Sequence, residues 1–194
     1  KPHRLGAYFE AHIEQGPVLE NEGRTIGVVQ GALGQRWYDV TVTGQDAHAG
    51  PTPMELRQDA LIGASRFVLE VNRIAREFPD YARGTVGFLQ VKPNSRNVIP
   101  GEVRTSVDFR NAKASTLDAM CEELKRAAQA IEAECRVSIE LRENVVFKPC
   151  EFDPALVGHV RAAAAALRHP HRDIVSGAGH DAVSIARIAP AAMV

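Results

Sequence analysis

The sequence predicts a mixed α/β fold in which a ferredoxin-like β-α-β-β-α-β unit, residues 27–147, is inserted into a second α/β domain represented by residues 1–26 and 148–194. Three observations predict it. Period-two and period-3.6 stretches follow one another across the middle of the chain as strand, helix, strand, strand, helix, strand. Each flank offers a few short elements but too little apolar surface for a core of its own. The composition is that of an ordinary globular protein, with 45% of 194 residues hydrophobic and 24% charged.

Taken in order, residues 5–26 give one strand and a short helix. In "FEAHIEQGP" the alternation sets Phe9, Ala11 and Ile13 on a buried side, with Glu10, His12 and Glu14 on the other, and Gly16-Pro17 stops the strand. "RWYDVTVTG", 36–44, alternates and is rich in β-branched and aromatic residues, so it is a strand. Ala60, Leu61, Ala64, Phe67, Val68, Val71, Ile74 and Phe78 recur at steps of three and four and predict a helix over 54–77, with Pro79 as its stop. "TVGFLQV" (85–91) and "VRTSVDF" (103–109) are the next two strands. Ser115 or Thr116 caps a second helix striped by Leu117, Met120, Cys121, Leu124, Ala127, Ala128 and Ile131. "RVSIEL" (136–141) closes the unit. An Ala-rich helix over 154–168 and a loop with strand-like pieces over 173–194 follow.

A net charge of −1 gives no electrostatic case for nucleic acid or an anionic membrane. No apolar run approaches the roughly 20 residues of a membrane span. Three cysteines, Cys121, Cys135 and Cys150, are an odd number without CxxC spacing. They argue against a disulfide framework or structural zinc and fit a reducing compartment, hence a cytoplasmic location. The opening Lys-Pro-His-Arg and the closing "APAAMV", which reads as a strand cut short, are expected of an excerpt from a longer protein.

Three histidines stand out. His12 is presented at a strand end, as a satisfied structural histidine or as a ligand. His180 lies in "SGAGHDA", 176–182, where small residues leave its imidazole uncovered, while Asp181 alternatively caps a helix. His48, in the small-residue loop "GQDAHAGPTPM", 44–54, has little to pack against and points outside its own domain, or else stabilises its loop. "KPNSRNVIPGEV", 92–103, is a long polar loop offering Asn94, Arg96 and Asn97, and "DFRN" ends a strand with Arg110, whose guanidinium suits a carboxylate. For both arginines a solvated pairing is the alternative. His3, His159, His169 and His171 carry less weight, in a tail, on a helix face and in a polar loop.

"HIEQGP", "GQDAHAGPTPM", "RNVIPG", "DFRN" and "SGAGHDA" together, in this order and spacing, resemble the N-carbamoyl-L-amino-acid and allantoate amidohydrolase (hydantoinase/carbamoylase) subfamily of M20 metallohydrolases. The resemblance implies an α/β catalytic domain holding two divalent ions (Zn, Mn, Co or Ni), with an inserted ferredoxin-like lid that also makes a homodimer. It implies that His12 and His180 are metal ligands, each on a different ion of the pair, and that His48 reaches the partner subunit's site and polarises the scissile carbonyl. Asn97 and Arg110 would hold the substrate's carboxylate end, with Gln15 and Gln35 at nearby polar positions. The implied substrate is a small ureide and the reaction hydrolysis of its C–N bond. In that family further metal ligands and the general-base glutamate precede HIEQG, so this stretch alone is expected to be inactive. Allantoate hydrolysis, a non-catalytic dimerisation or binding module, and an aminoacylase-like member of the wider family are the alternatives.

Overall fold

A computed structural model describes residues 5–78 and 81–194. Pro79 and His3 lie outside the described residues. In chain order the elements are β1 (Tyr8–Glu10), α1 (Val18–Asn21), β2 (Ile26–Ala32), β3 (Gly34–Thr43), β4 (Ala47–His48), a 3-10 turn (Met54–Leu56), α2 (Ala60–Glu77), β5 (Arg83–Thr85), β6 (Leu89–Lys92), β7 (Val98–Ile99), β8 (Glu102–Asn111), α3 (Ala114–Cys135), β9 (Ser138–Phe147), β10 (Cys150–Glu151), α4 (Pro154–Ala166), β11 (His171–Ser176), α5 (Asp181–Ile185) and β12 (Ala191–Met193). The fold is mixed α/β, and the described residues form two compact units, Gln35–Phe147 and the remainder.

The insert therefore begins at Gln35 rather than at residue 27. Residues 26–32, to which the sequence analysis assigns no strand, form β2, which runs parallel to β11 and antiparallel to β10 and β12 in the sheet of the other unit. The changeover is tight, because a Cβ on Gly34 would meet the Pro149 ring at 2.6 Å. One residue on, Gln35 pairs with Phe147.

Within Gln35–Phe147 the sheet order is β5-β8-β3-β9, with β6 also on β8. Strands β3 and β8 turn Tyr38, Val40, Val42, Val103, Val107 and Phe109 inward, where they meet Phe67 and Ile74 of α2 and Leu117, Met120 and Leu124 of α3 in one core. Helix α2 starts at Ala60, six residues later than predicted. The apolar period begins only there, and the Asp59 carboxylate caps it by accepting the N–H groups of Leu61 and Ile62 at 2.9 and 3.2 Å. Helix α3 is entered from Lys113 rather than from Ser115 or Thr116, with the Asn111 side chain accepting the Lys113 N–H. The strand predicted over 85–91 is interrupted. β5 and β6 pair separately with β8, and between them the Thr105 hydroxyl donates to Phe88 O. Gly87 lies in the break, as glycine within a strand often does.

The other unit orders its strands β1-β12-β2-β10, with β11 also on β2. Neither flank alone has a core, but together they bury Val28, Val29, Phe152, Val157, Ile174 and Met193. Among the described residues no helix is long and apolar enough to cross a membrane.

Candidate metal site

Strand β1 pairs in parallel with β12, and the pairing outlasts the strand. His12 N–H donates to Val194 O at 2.8 Å, and Val194 N–H to Glu10 O at 2.9 Å. The faces are the reverse of those expected. Phe9 and Ile13 are 51% and 73% exposed, and Ala11 is exposed too, whereas Tyr8 packs on the core and Glu10 is half-buried beside it. His12 is exposed, so the inward side of this strand is the part that carries Tyr8 and Glu10.

Its purpose is visible across the unit. The His12 and His180 rings meet edge to face with centroids 4.6 Å apart. Glu10 Oε1 lies 3.5 Å from His180 Nδ1, and its Oε2 accepts the Ala182 N–H at 2.7 Å. The start of α5 is thus held by Glu10 rather than by Asp181. His180 is not uncovered, for its side chain is only 4% exposed. Gly177 and Gly179 border open space, so the cover comes from elsewhere, including Glu10, His12 and Ser176. Burial lowers the His180 pKa, as does the neighbouring His12, against the opposing pull of Glu10. Burial also raises the Tyr8 phenol, helped by Glu10 and Asp181.

Glu10, His12 and His180 each offer a ligand atom, and these atoms lie within 4.8 Å of one another, the one such group among the described residues. Donors around one divalent ion at about 2.1 Å stand about 3–4 Å apart, so small side-chain adjustments suffice. Two imidazoles and a carboxylate suit Zn, Mn, Co or Ni. The group fits an ion. Sequence reasoning paired the two histidines but passed over Glu10, whose signal was its place two residues before His12 on the same strand face.

The acid of the HIEQ stretch has a structural task, since Glu14 accepts the N–H groups of Val18 and Leu19 at 2.8 Å each and so starts α1. Gln15, exposed, takes the left-handed φ of 53°.

In the other unit, His48 pairs with Val98 in the β4–β7 ribbon, and Ala49 N–H donates to Asn97 O at 2.9 Å, so the structure brings His48 and Asn97 together. His48 is exposed, and its Nδ1 accepts the Gly50 N–H at 3.1 Å. That bond puts the ring proton on Nε2, which is free to donate outward. Asn97, also exposed, accepts the Ser95 hydroxyl on Oδ1. Arg96 is exposed, and Asn94 serves as a left-handed turn residue with φ 58°. Arg110 stands near the far end of β8, its guanidinium Nε 3.0 Å from Asp108 Oδ1. Gln35 is buried at the root of β3. The ribbon joins β8 at Gly101, and the eight residue-to-residue steps from Glu102 to Arg110 span about 26 Å of strand. His48 and Asn97 are therefore not close to Arg110 along this sheet.

A mixed α/β chain that gathers two imidazoles and a carboxylate has the make-up of a metal-dependent enzyme. The model of peptidase family M20/M25/M40 matches residues 1–194, and the chain belongs to that family. It is 42% identical over 191 residues to an N-carbamoyl-L-amino-acid amidohydrolase of Rhizobium meliloti, covering 98% of this chain and 46% of that protein. It is 36% identical over 189 residues to the allantoate amidohydrolase of Bacillus subtilis, covering 97% and 46%. Among solved structures, a hydantoinase/carbamoylase family amidase from Burkholderia multivorans superposes with a TM-score of 0.96 at 54% identity, over 98% of this chain and 46% of that one. The chain spans a little under half the length of the relatives it matches.

Proposed function

We propose that this chain is part of a metal-dependent amidohydrolase that cleaves the ureido C–N bond of N-carbamoyl-L-amino acids, consuming water and releasing the amino acid, CO2 and ammonia. The observation that carries this is the Glu10–His12–His180 group in a chain 42% identical to an enzyme of that name. His12 and His180 would hold the ions of a two-metal site. When bound, such ions lower the pKa of a shared water and polarise the carbonyl. Nε2–H of His48 would donate to the developing oxyanion. Asn97 and Arg110 would grip the substrate carboxylate, and Gln15 and Gln35 would line the site.

The insert's strand order and paired helices support a ferredoxin-like lid. The length of β8 between Arg110 and the His48–Asn97 ribbon supports a homodimer through that lid, in which one copy contributes His48 and Asn97 and the other Arg110. Cytoplasmic residence follows the cysteine usage. Allantoate is the second substrate reading, favoured by the relative of that name. A purely structural dimerisation module gives no reason for an inward Glu10 beside two imidazoles.

Ammonia release from a panel of N-carbamoyl-L-amino acids and allantoate, by the full-length protein, tests this. Turnover abolished by chelation and restored by Zn, Mn, Co or Ni is expected. Metal-loaded protein that hydrolyses no ureide would overturn it.

A further inference from the structure

We propose that Glu10 is a positioning residue of this site, fixing the His180 ring so that Nε2 is the nitrogen turned to the ion; the proposal rests on the metal-dependent reading above. Glu10 Oε2 is occupied by the Ala182 N–H at 2.7 Å, which ties the carboxylate to the start of α5. Its Oε1 faces His180 Nδ1 at 3.5 Å, with both side chains largely buried, 14% and 4% exposed. A carboxylate offers only lone pairs, so a bare Nδ1 opposite it would set lone pair against lone pair. The proton therefore belongs on Nδ1, directed at Glu10.

The far side of the ring agrees. Ser176 Oγ is 2.6 Å from His180 Nε2 and accepts the Ala178 N–H at 3.3 Å, which leaves its own O–H free to donate to Nε2. His12 repeats the pattern, since its Nδ1 stands 2.7 Å from Ile13 O, a group that only accepts, and its Nε2 keeps a lone pair. Both rings are thus set by an acceptor behind Nδ1, one a backbone carbonyl and the other Glu10. A carboxylate behind a ligating imidazole fixes its tautomer and raises its basicity. In this arrangement Glu10 acts through the ring and the backbone of α5, and of the three groups that offer a ligand atom the two imidazoles are the ones left to hold the ion.

The competing arrangement puts an ion between Glu10 Oε1 and His180 Nδ1, with Glu10 as a ligand. Full-length protein labelled with [15N]histidine and loaded with 113Cd2+ separates the two, with the His180 signals assigned by their loss in His180→Gln. Cadmium–nitrogen coupling on Nε2 is expected, and coupling on Nδ1 would overturn the proposal. Glu10→Gln has one carbonyl oxygen for two N–H donors, and its amide turned to Nδ1 would favour the wrong tautomer. It should hold the ion about 10–100-fold more weakly, and undiminished affinity would count against a positioning role. If wild-type protein binds no Cd2+, the metal reading fails on its own. The nitrogen shifts of the metal-free protein still decide the tautomer, with Nδ1–H upholding the role of Glu10 and Nε2–H refuting it.

Discussion

Gly44 closes β3 just before the His48 loop, and replacing it with alanine should loosen the whole insert. A Cβ there would lie 2.0 Å from Gln58 O, 2.9 Å from Gln58 C and 3.0 Å from Ala60 N, all backbone atoms. None is the tip of a flexible side chain, so the segment entering α2 must retreat by about 1 Å or more to restore ordinary contact. Gln58 O also accepts the Gln45 N–H at 2.8 Å, and that bond breaks on retreat. Overpacking strain of about 1–3 kcal/mol and a lost hydrogen bond of about 0.5–1.5 kcal/mol together give about 2–4 kcal/mol. Trp37, the single tryptophan, lies in β3, so its fluorescence reports this unit alone. Urea midpoints should fall by about 1–2 M for a slope of about 2 kcal/mol/M. Gly87→Ala, with nothing within 4 Å of its Cβ, is the control and should stay within about 0.5 kcal/mol of wild type. A Gly44→Ala midpoint equal to the control would refute the reasoning.

His48→Ala removes the outward Nε2–H donor and should lower kcat about 10²–10³-fold with little change in KM; a pure KM effect would place His48 elsewhere. Arg110→Lys loses the planar fork and should raise KM for carboxylate-bearing substrates about 10-fold or more while sparing kcat, read from steady-state kinetics. Elemental analysis after dialysis should find divalent ion in the wild-type protein and a clear loss in both His12→Ala and His180→Ala. The last prediction concerns pH. Burial pushes the Glu143 carboxyl up, but hydrogen bonds from Arg36 and Tyr38 outweigh it and hold it below its ordinary value. Because its folded pKa is the lower one, its contribution is present above about pH 4.3 and fades as pH falls through the folded value. Glu143→Gln should therefore flatten the acid limb of Trp37-monitored unfolding.

The order of the insert's elements was legible because each carries its own period: Val40 and Val42 alternate with Thr41 and Thr43, and Phe67, Val71 and Ile74 step by three and four. Where the period failed, so did the expectation. "GVVQGALG", 27–34, is small and apolar throughout, so nothing in it says which sheet it joins, and β2 passed unseen. Gly87 sits in an apolar run whose alternation continues across the break between β5 and β6. The site was legible only in halves. His12 and His180 were paired by resemblance to a family, since no local rule joins residues so far apart. Glu10 lay in plain view on the His12 face, but its partner Ala182 is 172 residues away. The inward turn of Glu10 depends on β12, which the β1 sequence cannot encode.

The parallel pairing of β1 with β12 also sets an order of events during synthesis. Roughly 180 residues separate Tyr8 from Ala191, so at about 5–20 residues per second β1 leaves the ribosome about 10–40 s before β12 does. Through that interval the edge of β1 that β12 will cover stays open beside Phe9 and Ile13, while all residues of the compact insert are already made. A nascent chain stalled before residue 191 would thus carry the insert and a β1 edge still waiting for β12, a state in which a chaperone would be needed.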